Sequence, residues 1–262
     1  AKIAGMASDL ERLRSDDAAW DDFVERSDTA FPLQLSAWAA AKAPYGWSSA
    51  RVVADGGSGP IGAQVLMRSL GPGPFAMGYA PRGPVATVFD EASLVAFTGA
   101  LRDFARSRRL THVTADPGLE GVEHDPLFVA AGWQPADPLQ LASTQVIDLA
   151  RTEEELWHDV YKSSRRYANG ARKKGCYVQE GDEDVLPVFY DILVETAGRS
   201  GFIPRAIEAY ADVYTAFAAQ GKARILIGHL PDGTPVSSKM ILTAGGRAAQ
   251  LYGGLTDEGG QA

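Results

Sequence analysis

Apolar positions along this chain of 262 residues recur at helical spacing in some stretches and run together or alternate in others. "SDDAAWDDFVERS" sets Ala19, Trp20, Phe23 and Val24 on one helical face behind an N-cap candidate at Ser15 or Asp16, which predicts a helix. "SAWAAAKAPYGW" predicts a second, capped by Ser36 and stopped near Pro44, because the residue before a proline is pushed out of the α region. "ARVVA" and "IGAQVLMRSL" read as strands joined through the turn-rich "DGGSGP". The Pro/Gly-rich "GPGPFAMGYAPRGPV" reads as irregular. Leu94, Phe97, Leu101 and Phe104 then mark a helix in "DEASLVAFTGALRDFARSRR". A strand "LTHVTA", a short helix in "LFVAAGWQPA" ending at Gly132, and a further strand "LASTQVIDL" follow.

Beyond Ala150 the order restarts. Thr152 and Glu155 form a capping-box pattern that opens a helical stretch running to a stop at Gly175. After "CYVQEG" come helices "VLPVFYDILVETAGR" and "AIEAYADVYTAFAAQG". Strands "ARILIGHL" and "VSSKMILTA" flank the turn "PDGTP", and "AAQLYGG" is a third. Both halves therefore read helix, helix, antiparallel hairpin and further strand. The expectation is an α/β (α+β) chain of two similar domains, 6–150 and 151–262, with Met6 as a natural start. The second domain lacks counterparts of the long helix and two strands that complete the first, and so reads as incomplete.

Composition adds bounds. A chain 45% hydrophobic and 22% charged has the make-up of a folded protein and is long enough to bury a sizeable core. No apolar run approaches the roughly 20 residues of a membrane-spanning helix, so any membrane contact is expected to be peripheral. One cysteine, Cys176, makes no internal disulfide, and four scattered histidines (His112, His124, His158, His229) offer no metal spacing. These fit a reducing, cytoplasmic setting with no metal or other cofactor. A net charge of −8 argues against broad coating of nucleic acid.

Charge distribution changes that picture locally. "YKSSRRYANGARKKG", Tyr161 to Gly175, holds six Lys/Arg and no Asp or Glu, against 25 basic and 33 acidic residues overall. A solvated basic helix face is the plain reading. Without acidic partners at i,i+4, though, Arg165, Arg166, Arg172 and Lys173 suit phosphates, which guanidinium grips bidentately. A polyphosphate or nucleic-acid contact is the sharper reading. "RSLGPG", Arg68 to Gly73, matches the pyrophosphate loop of many coenzyme A-dependent acetyltransferases, but Pro72 and Pro74 remove two N–H donors and no helix can start there. Asp116 in "THVTADPGL" follows a strand, where it serves either a turn or a reaction. Cys176 has no activating partner in sequence, and the histidines read as structural or exposed.

Taken together, "LQLSAWAAAKAPYGW", "MGYAPRGPV", "TADP", "SSRRYANGARKKG", "RSGFIPR" and "AQLYGG" resemble, in order and over about residues 15–260, the Fem family (FemABX) of tRNA-dependent peptidyltransferases that build peptidoglycan cross-bridges. The resemblance implies two GNAT-like domains, of the type without an inserted coiled-coil arm, since sustained heptads are missing. It implies an aminoacyltransferase that moves an amino acid from aminoacyl-tRNA onto the amine of a UDP-linked or lipid-linked muropeptide. Lys42 matches a family lysine and Arg165, with Arg166 as alternate, a family arginine that hold the acceptor diphosphate. Tyr79 and Arg82 join the implied substrate-binding set. Asp116 matches an aspartate near the acceptor amine, and Tyr252 is implied as a catalytic hydrogen-bonding group. The family pattern after the arginine runs closer to R-Y-N-I-R than to this chain's Arg165, Arg166, Tyr167, Ala168, Asn169, and a family lysine on the last strands has no counterpart. Alternatives are the same chemistry on a peptide antibiotic or other small acceptor, a coenzyme A-dependent N-acyltransferase, and an inactive truncated binding homologue.

Overall fold

A computed structural model describes residues 2–119, 125–141 and 143–261. The chain divides into two compact units: Ala1–Gln140 with Ala216–Lys222 and Leu242–Ala249, and Leu141–Thr215 with Ala223–Ile241 and Gln250–Ala262.

The first unit opens with helices α1 (Lys2–Ser15), α2 (Asp17–Glu25) and α3 (Ser36–Lys42). Asp16 caps α2 by accepting the Ala19 N–H at 3.0 Å, and Trp20, Phe23 and Val24 are buried as their spacing predicts. At α3 the expected cap is corrected: Leu35 holds the N-cap position. Ser36 instead gives its N–H and hydroxyl to Asp21, at 2.7 and 2.5 Å, which ties α3 to α2.

Strands β1 (Ser48–Asp55) and β2 (Pro60–Ser69) form the expected hairpin, in register from Ser48 opposite Met67 to Asp55 opposite Pro60. The stretch expected to be irregular contains β3 (Ala76–Ala80) and β4 (Val85–Ala86). Apart from Gly78, which pairs within β3, its prolines and glycines fall in the turns on either side. Leu70 N–H donates to Phe75 O at 3.1 Å, and the chain reverses to pair β3 with β2. "RSLGPG" is therefore a strand end and hairpin turn, with no helix N-terminus to receive a pyrophosphate.

Helix α4 (Glu91–Ser107), capped by Asp90, buries Leu94, Phe97 and Leu101 against Val52, Ile61, Val65 and Met67 of the sheet. Strand β5 (Leu110–Ala115) runs parallel to β3, giving the order β1-β2-β3-β5 with β4 on β2. Short helix α5 (Asp125–Ala130) stops before Gly132, which has a left-handed φ of 87°. The strand expected in "LASTQVIDL" does not form among the described residues: Leu141, Val146, Ile147 and Leu149 are exposed. Strand propensity reflects fit to a half-buried pleated surface, and these side chains meet none.

The second unit begins with α6 (Glu153–Asp159), whose Thr152–Glu155 capping box forms as read. The single helical stretch expected as far as Gly175 is split, because Val160 and Tyr161 are extended and α7 (Lys162–Lys174) starts afresh. Gly175, φ 92°, ends α7. Then come β6 (Tyr177–Gly181), α8 (Leu186–Ser200), α9 (Glu208–Ala218), β7 (Ala223–His229), β8 (Pro235–Ala244), β9 (Arg247–Leu255) and α10 (Asp257–Gln261). The sheet order is β6-β7-β8-β9. Phe189, Ile192 and Leu193 of α8 are buried. Among the described residues no helix is long and apolar enough to cross a membrane.

Candidate functional site

Sheet register brings three of the expected site residues into shared hydrogen bonds. Tyr79 on β3 sits opposite Thr114 on β5, and side chains two apart on a strand share a face, so Asp116, just past β5, points the way Thr114 does. Tyr79 Oη donates to Asp116 Oδ2 at 3.1 Å, and Arg82 N–H donates to Oδ1 at 2.8 Å. Arg82 adopts a left-handed backbone, φ 56°, unusual for a residue with a Cβ, and its guanidinium lies over the Phe31 ring at 5.4 Å. Tyr79, Arg82 and Asp116, three separate expectations, thus form one cluster.

The environment tunes these groups in opposing ways. Burial raises the Asp116 carboxyl above the ordinary aspartate value, and the Arg82 N–H, the Arg82 charge and the Tyr79 hydroxyl work against that rise. Burial raises Tyr79 as well, with a bond from Gln140 opposing it. Asp116 also lines a cavity of about 730 Å³ walled by α4, β5, α5 and residues 133–139, with Leu101, Phe128 and Trp133 among its apolar walls. The carboxylate is therefore oriented by two donors yet open to a ligand on its remaining lone pairs.

Two glutamines outside the expected set hold this cluster. Gln34, fully buried, donates from Nε2 to Pro81 O at 2.6 Å and accepts the Gln64 N–H at 2.7 Å. Its own carbonyl accepts the Trp20 indole N–H at 2.6 Å. The Pro81–Arg82 turn that presents an N–H to Asp116 is thereby pinned to β2 and α2. Gly83 approaches so closely that a Cβ there would lie 2.9 Å from Gln34 Nε2. Gln140 donates from Nε2 to Tyr79 Oη at 2.9 Å. Neither glutamine belongs to a periodic pattern that singles it out in sequence.

The other expected residues lie on other elements. Lys42, at the end of α3, is buried, with Nζ 4.1 Å above the Trp38 ring. Arg165 turns its guanidinium back onto the carbonyls of Trp157 and His158, at 3.1 and 2.5 Å. It therefore serves as the C-terminal anchor of α6. Arg166 is exposed, over the Tyr167 ring at 5.3 Å. Tyr252 on β9 meets Tyr210 edge-on at 5.0 Å, and burial pushes its hydroxyl up to about 12, opposed by Arg205. No residue of α7 is buried, so its cations face solvent along most of the helix. His112 and His158 are exposed, while His229 stacks on Tyr177 at 4.8 Å and lies 3.1 Å from Gly233 O. His124 lies outside the described residues.

Two α/β units, each a sheet packed with helices, make this a GNAT-like fold. The FemAB family model matches residues 16–126 and 121–231, and the chain belongs to that family. It is 25% identical over 231 residues to the lipid II:glycine glycyltransferase of Staphylococcus aureus (strain MRSA252), covering 83% of this chain and 55% of that protein. The chain thus spans about half the length of that curated relative. A crystal structure of FemX superposes with a TM-score of 0.78 at 19% identity, over 92% of this chain and 79% of the other. A conserved protein of unknown function from Bacteroides thetaiotaomicron VPI-5482 superposes at 0.54 with 12% identity, over 94% and 79% of the two chains. At these identities the structural likenesses establish the fold.

Proposed function

We propose that this chain carries the acceptor-amine centre of an aminoacyltransferase that forms peptidoglycan cross-bridge amides, drawing its amino acid from aminoacyl-tRNA. The observation that carries the reading is the Asp116 carboxylate, held by Tyr79 Oη and Arg82 N–H at the edge of a cavity of about 730 Å³. Family membership supports the chemistry, and the glycyltransferase named among the relatives supports lipid II, or its UDP-linked counterpart, as acceptor.

The reaction needs little activation of the donor, because an ester of tRNA is already a reactive acyl group. The acceptor amine attacks the ester carbonyl, the C–N bond forms, the C–O bond to the tRNA ribose breaks, and an amide and free tRNA result. A lysine-like amine has a pKa of about 10.4 in water and must be unprotonated to attack. The ammonium proton is lost to solvent as the amine binds; Asp116, raised by burial, accepts the second proton that nitrogen sheds as the C–N bond forms, and that proton passes to the departing ribose oxygen. Tyr79 and Arg82 fix the carboxylate's direction in the first unit, where Lys42 offers a cation to phosphate; in the second unit Arg166 offers a guanidinium to phosphate and Tyr252 a hydroxyl to substrate. Holding two large substrates in register supplies much of the remaining rate.

The test follows labelled amino acids from mixed charged tRNA onto UDP-MurNAc-pentapeptide or lipid II, beside an RNase-treated control. RNase-sensitive labelling of the muropeptide is expected. Labelling that survives RNase, or that requires acyl-coenzyme A, removes the reading.

A further inference from the structure

We infer that Gln140 is a positioning residue for the Asp116 carboxylate, acting through the hydroxyl of Tyr79. Gln140 Nε2 lies 2.9 Å from Tyr79 Oη, which lies 3.1 Å from Asp116 Oδ2. An ionised carboxylate only accepts hydrogen bonds, so the Tyr79 proton is committed to Asp116. The phenol oxygen then has only lone pairs to offer Gln140, and the amide must present its NH₂ end. Every bond direction is thus fixed, and the chain runs one way, from Gln140 to Tyr79 to Asp116.

This direction has consequences. A donor on the phenol oxygen polarises the O–H bond and strengthens its grip on Oδ2. The same donor keeps the hydroxyl from rotating toward any other acceptor. With Arg82 N–H on Oδ1, each carboxylate oxygen spends one lone pair on the protein and keeps one for a ligand. Pro135 and Pro138 lie on the cavity wall just before Gln140 and restrict the backbone that delivers it.

The charged surroundings of Asp116 come from several elements. Tyr79 of β3 and Arg82 of the following turn bond it directly. Arg102 of α4, His112 of β5, Asp125 of α5 and Asp137 share its cavity wall. None of these four is changed by substitution at Gln140, and Gln140→Leu adds no charge, so a shift in Asp116 in that variant reports the bonded chain. Weakening a hydrogen bond to the ionised form raises a carboxyl pKa.

The experiment compares Gln140→Glu and Gln140→Leu in the full chain by ¹³C NMR titration of the Asp116 carboxyl. In Gln140→Glu the phenol proton is contested by two carboxylates, and the Asp116 midpoint is expected to rise by about one pH unit. Gln140→Leu keeps the bulk, loses the donor, and is expected to raise it by less. In a Tyr79→Phe background, Gln140→Leu is expected to change nothing, because the relay is already cut. The inference rests on the proposed reaction only for its kinetic arm, in which the acid limb of transfer moves with the midpoint and kcat falls more than KM rises. A midpoint unmoved in both folded variants, or a Gln140→Leu effect that persists in Tyr79→Phe, overturns it. Absence of transfer in the unmodified chain sinks the reaction instead and leaves the titration to decide Gln140.

Discussion

Asp116 is buried enough to raise its proton affinity, yet two donors hold it ready to be charged. Because its folded pKa lies above the unfolded value near 3.8, it contributes stability that is fully present below that value and lost as pH rises through the folded value. Wild type is therefore expected to lose stability relative to Asp116→Asn as pH rises from about 4 through the folded value, as read by urea unfolding at a series of pH values. A difference that stays flat with pH means burial does not govern this carboxyl. In transfer assays Asp116→Asn is expected to lower turnover more than acceptor affinity, and full activity would leave Asp116 a turn residue. The arginines divide by what they already hold. Arg165 spends its guanidinium on two carbonyls of α6, whereas Arg166 stands exposed. Arg166→Ala is thus expected to weaken binding of a UDP-linked muropeptide by about 1.5–3 kcal/mol, the worth of a charge-assisted contact, with the thermal midpoint unchanged. Arg165→Ala is expected to lower both. Calorimetry finding normal affinity in both variants would take the diphosphate away from α7.

At the level of elements, the site depends on one buried residue that bridges three of them. Gln34 satisfies Gln64 N–H on β2 and Pro81 O in the turn after β3. Gln34→Leu strands both backbone groups, and unfolding free energy is expected to fall by about 2–4 kcal/mol in urea titrations. A loss under 1 kcal/mol would mean that water replaces the amide there. Elements whose packing face is written in their own residues were legible in sequence: α2 through Trp20, Phe23 and Val24, α4 through Leu94, Phe97 and Leu101. Those decided by contacts remote in sequence were not. Strand β3 was hidden because the glycines and prolines of its flanking turns outweigh five residues. The break between α6 and α7 falls at Val160–Tyr161 with no proline or glycine to signal it, and Arg165 holds the freed carbonyls. "LASTQVIDL" carries a strand's composition, but a ladder also needs a neighbour. The site divides in the same way. Asp116 was visible as a strand-end aspartate, and Tyr79 and Arg82 through resemblance, while Gln34 and Gln140 act through partners far along the chain.

Across the molecule, the charge distribution limits where a polyanion can sit. With a net charge of −8, phosphate is repelled over most of the surface, and six of the 25 cations stand between Tyr161 and Gly175. At physiological salt the field of such a patch reaches about 8–10 Å, so an RNA phosphate must come close to α7 to feel it. Binding there releases counterions, and the logarithm of affinity should fall with the logarithm of salt by about 0.7–0.9 for each phosphate neutralised. Arg172 and Lys173 are exposed on a helix that buries no residue, so replacing both with Gln should leave the fold intact. The double variant is expected to bind aminoacyl-tRNA more weakly at low salt, with a slope shallower by about one to two, and to converge on wild type as salt rises. Equal slopes would place the tRNA elsewhere and leave α7 to the acceptor alone. A parallel loss at every salt concentration would instead point to a damaged helix, which circular dichroism of the variant distinguishes. The salt slope is therefore the measurement that separates a basic helix used for RNA from one that merely offsets the acidic remainder of the chain.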